Sequence, residues 1–78
     1  MNHLEEGSLA RVVLLDPEMV AIYSLTGDDE VEFRSGDVVL IMKLIYVSGT
    51  ETPIYARVMR EELSSYIDIE FLEPLDLV

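Results

Sequence analysis

The chain contains no cysteine, no tryptophan, a single histidine and only five basic residues among 78. Each scarcity removes a class of function. Without cysteine there are neither disulfides nor thiolate metal sites. The lone His3 lies near the start, where the spacing supplies it no partner as base or ligand, so a metal site or cofactor is not expected. With so few Lys and Arg, direct binding of DNA or RNA is disfavoured, because such binding depends on neutralising phosphates; the same argument opposes an anionic membrane surface. The longest apolar run, Val38 to Met42, falls far short of the roughly 20 residues that a membrane-spanning helix takes. MNHLEEGSL has no basic segment followed by an apolar run, so a secretory leader is not expected, and the simplest compartment is the cytoplasm.

What is abundant is acid and aliphatic side chain. Sixteen Asp and Glu give a net charge of -11, and half of the residues are apolar. A chain of this length is one domain. Its charge suits solubility or an encounter with a basic protein. Residues 1–7 read as a flexible tail and 8–78 as the domain.

Hydrophobic periodicity points to strands. SLARVVLL (8–15) is β-branched and aliphatic, with Ala10, Val12 and Leu14 on one side, and it stops at Asp16-Pro17. EMVAIYSL (18–25) is a second extended segment, ended by Thr26-Gly27-Asp28-Asp29. Glu30 to Arg34 alternates, with Val31 and Phe33 on one side. Gly36-Asp37 marks a tight turn. Val38 to Val47 is a long strand, followed by a loop at 48–53. Ile54 to Arg60 and Ser64 to Ile67 form a pair around Glu61-Glu62, and 68–78 reads as one helical turn and a short edge strand. No apolar positions recur at three and four across a window, so no long helix is expected. Short strands with turn signals between them indicate a small all-β sandwich or barrel.

The order of these features resembles Src-homology-3 (SH3) domains. DDEVEFRSGDVVLIMKL is similar to the family's acidic pair, apolar-x-Phe, basic-x-Gly-Asp and aliphatic strand, and SSYIDIEFLEPL to its ending. The resemblance covers about 28 to 75 and implies an all-β, five-stranded SH3-like barrel with an enlarged first (RT-type) loop and one 3-10 turn before the last strand. The proline-rich-peptide groove of that family needs aromatics that this chain lacks. Val12 to Asp16 stand where the first tyrosines belong, there is no Trp near Pro53, Ile54 or Tyr55, and Asp68 replaces the groove Pro. Proline-rich ligands are therefore disfavoured, and the divergent bacterial or phage barrels that serve as accessory domains are the nearer likeness.

That pattern also implies that Val39 and Ile41 point inward beside Phe33. Val38, Leu40, Met42, Leu44 and Tyr46 are left on a second, equally apolar face, whereas a strand with one solvated face should alternate. Two arrangements can cover it: the long loop, through Met19, Ala21, Ile22 or Tyr23, or another protein chain. Leaving it uncovered would forgo about 1.5–3 kcal/mol per side chain. Tyr55, Tyr66 and Phe71 form a second candidate, either cross-strand packing or a peptide groove with acidic rims that suits a basic peptide. Asp16, Glu18, Asp28, Asp29, Glu30 and Glu32 form an acidic patch; the closing ligand of a calcium loop is missing, so a solvated loop or a basic partner is the expectation.

No hydroxyl of Ser24, Ser35, Ser64 or Ser65 has a base nearby in sequence to activate it, and Glu61-Glu62 reads as an exposed hairpin tip. The chain is expected to be no enzyme. Its expected role is a protein–protein interaction or assembly module, self-associating through apolar strand faces. The competing class is an acidic inhibitor that occupies a basic protein surface in place of nucleic acid. Salt separates the two: mimicry weakens as charges are screened, whereas apolar association persists.

Overall fold

The computed structural model describes residues 4–24 and 30–75. Seven strands form two antiparallel sheets, and the only helical element among the described residues is a 3-10 turn at Ile69–Phe71. The strands are β1 (Leu9–Val12), β2 (Val20–Ser24), β3 (Glu30–Arg34), β4 (Val38–Ile45), β5 (Tyr55–Arg60), β6 (Leu63–Asp68) and β7 (Leu72–Pro74). The larger sheet runs β6-β5-β4-β1-β7, and β2 and β3 form a separate ribbon. All-β architecture and the 3-10 turn agree with the expectation. A closed five-stranded barrel does not: the chain makes a five-stranded and a two-stranded sheet. The reason lies in the long first loop, where Val20–Ser24 pairs along its whole length with β3 rather than hanging free.

The two sheets close over one core. Alternation along each strand delivers Ala10 and Val12, Val31 and Phe33, Val39 and Ile41, Ala56 and Val58, and Ile67 to the same interior. Leu14 and Leu72 complete the set, with Ala21 and Tyr23 of the ribbon packed against it. Ser65 is the one buried polar residue among those described, and its hydroxyl donates to the Tyr66 carbonyl oxygen at 3.3 Å.

Residues 4–7, read from sequence as part of a tail, run alongside β4. Leu4 packs on the core, the Gly7 N–H donates to the Ile41 carbonyl at 2.7 Å, and a Glu6 carboxylate oxygen accepts from the Leu44 N–H at 2.9 Å.

Arg60 ties the end of β5 to the ribbon. Its guanidinium donates to Asp37 Oδ2 at 2.8 Å and to the Glu32 carbonyl at 2.6 Å, and it lies 5.1 Å from the centre of the Phe33 ring. The same Asp37 oxygen accepts from the Arg34 N–H, which holds the β3–β4 turn. In that turn Gly36 has φ +98°, a conformation that costs an L-residue roughly 1–2 kcal/mol. Glu61, in the β5–β6 turn, also adopts a positive φ of 58° but has a side chain.

Three substitutions test this account by chemical denaturation. Arg60→Ala is expected to cost about 2 kcal/mol, from charge-assisted hydrogen bonds left unmade. Gly36→Ala is expected to cost about 1 kcal/mol although nothing obstructs the added methyl. Glu61→Gly is expected to stabilise by up to about 1 kcal/mol, by relieving the left-handed strain.

Candidate interaction face

The outer surface of the five-stranded sheet can be assembled row by row from strand register, because directly paired residues share a face. One row is Glu73, Arg11 and Val38. The next is Leu9, Leu40, Met59 and Ser64. The third is Lys43, Arg57 and Tyr66, and the fourth is Ile45, Tyr55 and Asp68. An apolar band is thus followed by two adjacent cations and then by an aromatic corner.

A β-bulge sets the break between these zones. Ile41 pairs with Val58, but the next paired residue on β4 is Lys43, opposite Arg57, so Met42 is the extra residue. The inserted residue reverses the alternation for the rest of the strand. Sequence reading assigned Val38, Leu40, Met42, Leu44 and Tyr46 to one face. Leu44 instead turns inward and packs on the core, while Lys43 and Ile45 face out and Tyr46 lies beyond the strand end.

The ribbon does not cover this face. Val38, Leu40 and Met42 keep 43%, 36% and 40% of their surface accessible. Ala21 and Tyr23 are committed to the core, and Met19 and Ile22 are themselves exposed. Among the described residues, none of the loop side chains expected to cover the face does so.

Tyr55 and Tyr66 do come together, and with Ile45 they line a shallow hollow of about 260 Å³. Phe71 is not part of it: the 3-10 turn directs that ring against the core. Ile45 was missed, because only the bulge brings it outward. The rim is mixed: Asp68 is paired with Tyr55, while Arg57 stands beside Tyr66 and Lys43 beside Arg57. Among the described residues neither cation makes an ion pair or side-chain hydrogen bond, unlike Arg11 with Glu73 and Arg60 with Asp37. A second hollow of about 360 Å³ is lined by Pro53, Ile54, Asp68, Ile69 and Glu70.

The acidic residues lie elsewhere. Asp16 and Glu18 occupy an exposed turn in which Asp16 Oδ1 accepts from the Glu18 N–H at 2.9 Å. Glu30 and Glu32 point outward from β3. Asp28 and Asp29 lie outside the described residues, as does His3. No group of three or more His, Asp or Glu suited to a metal ion occurs among the described residues. No described helix is long and apolar enough to cross a membrane. Ser35 accepts from the Leu14 N–H at 2.9 Å, a structural role.

One polar contact joins the ribbon to the corner of the face. The Tyr23 hydroxyl donates to Asp68 Oδ2 at 2.9 Å and accepts from the Asp68 N–H at 3.3 Å. Burial, together with the nearby Asp68 and Glu70 charges, pushes the Tyr23 hydroxyl from 10 up to about 12.

No protein-family model matches the chain, and no curated protein or solved structure shows significant similarity to it.

The Tyr23 contact generates a pH prediction. Folding favours the neutral phenol, so its contribution is complete below about pH 10 and is lost as pH rises toward 12. Tyr23→Phe is expected to lower stability by about 1 kcal/mol at neutral pH and to flatten the decline between pH 10 and 12. Denaturant midpoints measured across that range check both.

Proposed function

We propose that this chain is a non-catalytic protein–protein interaction and assembly module that self-associates through the outer face of its five-stranded sheet. One observation carries the reading. Among the described residues, the paired rows of that face hold no acid in their interior: Asp68 and Glu73 stand at its margins, engaged by Tyr23 and Arg11, and Glu6, which runs alongside β4, is engaged by the Leu44 N–H. The same interior exposes Leu9, Leu40 and Met42 side by side. A surface that excludes the chain's commonest charged groups and retains apolar ones is suited to burial against protein. A standard interface takes about 800 Å² from each partner, a disc about 32 Å across, comparable with the whole domain's Cα extents of 33 × 33 × 24 Å.

We read the fold as a divergent relative of the SH3-like barrel. In support are the β6-β5-β4-β1-β7 order, the hairpin that fills the long first loop, and the 3-10 turn leading into the last strand. That family tolerates many activities, so the role rests on the face and not on the likeness.

Sedimentation velocity or light scattering after size exclusion tests the function. The native chain is expected to form oligomers whose mass rises with concentration, and Leu40→Glu or Met42→Glu to shift the population to monomer while leaving the fold intact by circular dichroism. A native chain that stays monomeric into the millimolar range would overturn the reading.

A further inference from the structure

The outer face of the sheet is apolar and locally cationic, while the outer face of the β2–β3 ribbon is aliphatic and locally acidic. On the ribbon, Ile22 is paired with Glu32 and Ser24 with Glu30, all four facing away from the core. Ile22 is 54% exposed, more than most aliphatic residues of the chain. Val20 and Arg34 form the row at the ribbon's base, and Arg34 is its only cation.

From this complementarity we propose that the chain associates head to tail, the ribbon face of one copy docking on the sheet face of the next. This rests on the self-association proposed above and specifies its geometry. Lys43 and Arg57 are direct cross-strand neighbours, about 5 Å apart at their Cβ atoms. Two like charges in that arrangement oppose each other within the monomer; neither makes an ion pair among the described residues, and the Glu6 carboxylate on the neighbouring segment is taken up by the Leu44 N–H. Glu30 and Glu32 are two positions apart on one strand, hence about 7 Å apart on one face. Side chains as long as Lys and Arg span that difference, so each cation meets one carboxylate. Ile22, beside Glu32, then lies over the hollow lined by Ile45, Tyr55 and Tyr66. At about 260 Å³, against roughly 30 Å³ for a water molecule, the hollow admits a branched aliphatic side chain.

Symmetry argues the same way. A two-fold dimer centred on the sheet face would bring two Lys43–Arg57 pairs together, placing four positive charges in one interface. A head-to-tail contact replaces that repulsion with opposite charges. Such a contact uses two different patches, so it propagates into a ring or a filament.

Two charge-reversed variants test the geometry, each verified as folded by circular dichroism and its thermal midpoint. Lys43→Glu/Arg57→Glu blocks the sheet face and leaves the ribbon intact. Glu30→Lys/Glu32→Lys blocks the ribbon and leaves the sheet face intact. Each variant alone is expected to be at least tenfold weaker in self-association than the native chain by sedimentation velocity. An equimolar mixture is expected to recover assembly, because the acidic ribbon of the first variant meets the basic sheet face of the second and the basic ribbon of the second meets the acidic sheet face of the first. If reversal disturbs folding, Glu30→Gln/Glu32→Gln is expected to weaken association in the same direction. If the ribbon variants assemble like the native chain while Leu40→Glu is monomeric, the head-to-tail geometry is wrong and the sheet face remains the docking site. If the native chain is itself monomeric, both proposals fall.

Discussion

The inserted residue at Met42 is the feature on which the surface of this domain depends. Up to Ile41, β4 follows a simple period of two, with Val39 and Ile41 inward and Val38 and Leu40 outward. Continued alternation would have put Lys43 into the core and Leu44 into water. Burying an uncompensated ammonium is far more costly than exposing one leucine, so the strand accommodates an extra residue and resumes pairing with β5 at Lys43. Three consequences share this cause. Leu44 packs on the core, Lys43 comes to lie beside Arg57, and Ile45 reaches the two tyrosines. A bulge of this kind re-aims side chains and commonly occurs next to functional surfaces.

Much of the fold was legible because burial in a small β domain is written as alternation. Ala10 and Val12, and Val31 and Phe33, were placed on shared sides from residue spacing alone, and Val39 and Ile41 inward from the family likeness; all are buried. The glycine turn at Gly36 was legible for a related reason, since its positive φ excludes most other residues. What escaped was information that no single strand carries. VVLIMKLI contains no local mark of where its parity breaks; the bulge keeps Lys43 out of the core, whereas Arg57 faces out by the regular alternation of β5. The destination of Phe71 was misread because the 3-10 turn rotates side chains away from the period of two. The long loop was one of two candidate covers for β4, but its residues had two apolar stripes to satisfy. Ala21 and Tyr23 go to the core, and pairing with β3 then fixes Ile22 on the opposite side.

The same competition explains the polarity of the surface. Sixteen carboxylates repel one another and are best held apart in water. Among the described residues, several occupy turns and the outer sides of narrow elements, including Asp16 and Glu18, Glu30 and Glu32, and the Glu61–Glu62 turn. The broad sheet face carries instead Arg11, Lys43 and Arg57, three of the five basic residues. Charge has therefore been separated across the molecule despite its large net negative value, and the separation follows the two sheets.

Net charge and local charge act over different distances, and this decides whether like molecules can meet. Two copies carrying -11 each repel, but at physiological ionic strength that repulsion is screened over about 8 Å, a fraction of the 33 Å extent of the domain. Charges in contact are screened much less, because approach of the faces expels the intervening water and ions. In the proposed self-association, a surface that concentrates cations and aliphatic groups would govern short-range contact, while the acidic remainder would set only the longer-range cost of approach. The acidic surroundings also discourage any approach that brings the carboxylate-rich turns together, which narrows the permitted orientations. On a domain this small, orientation is as much a product of where carboxylates are excluded as of where apolar residues are placed.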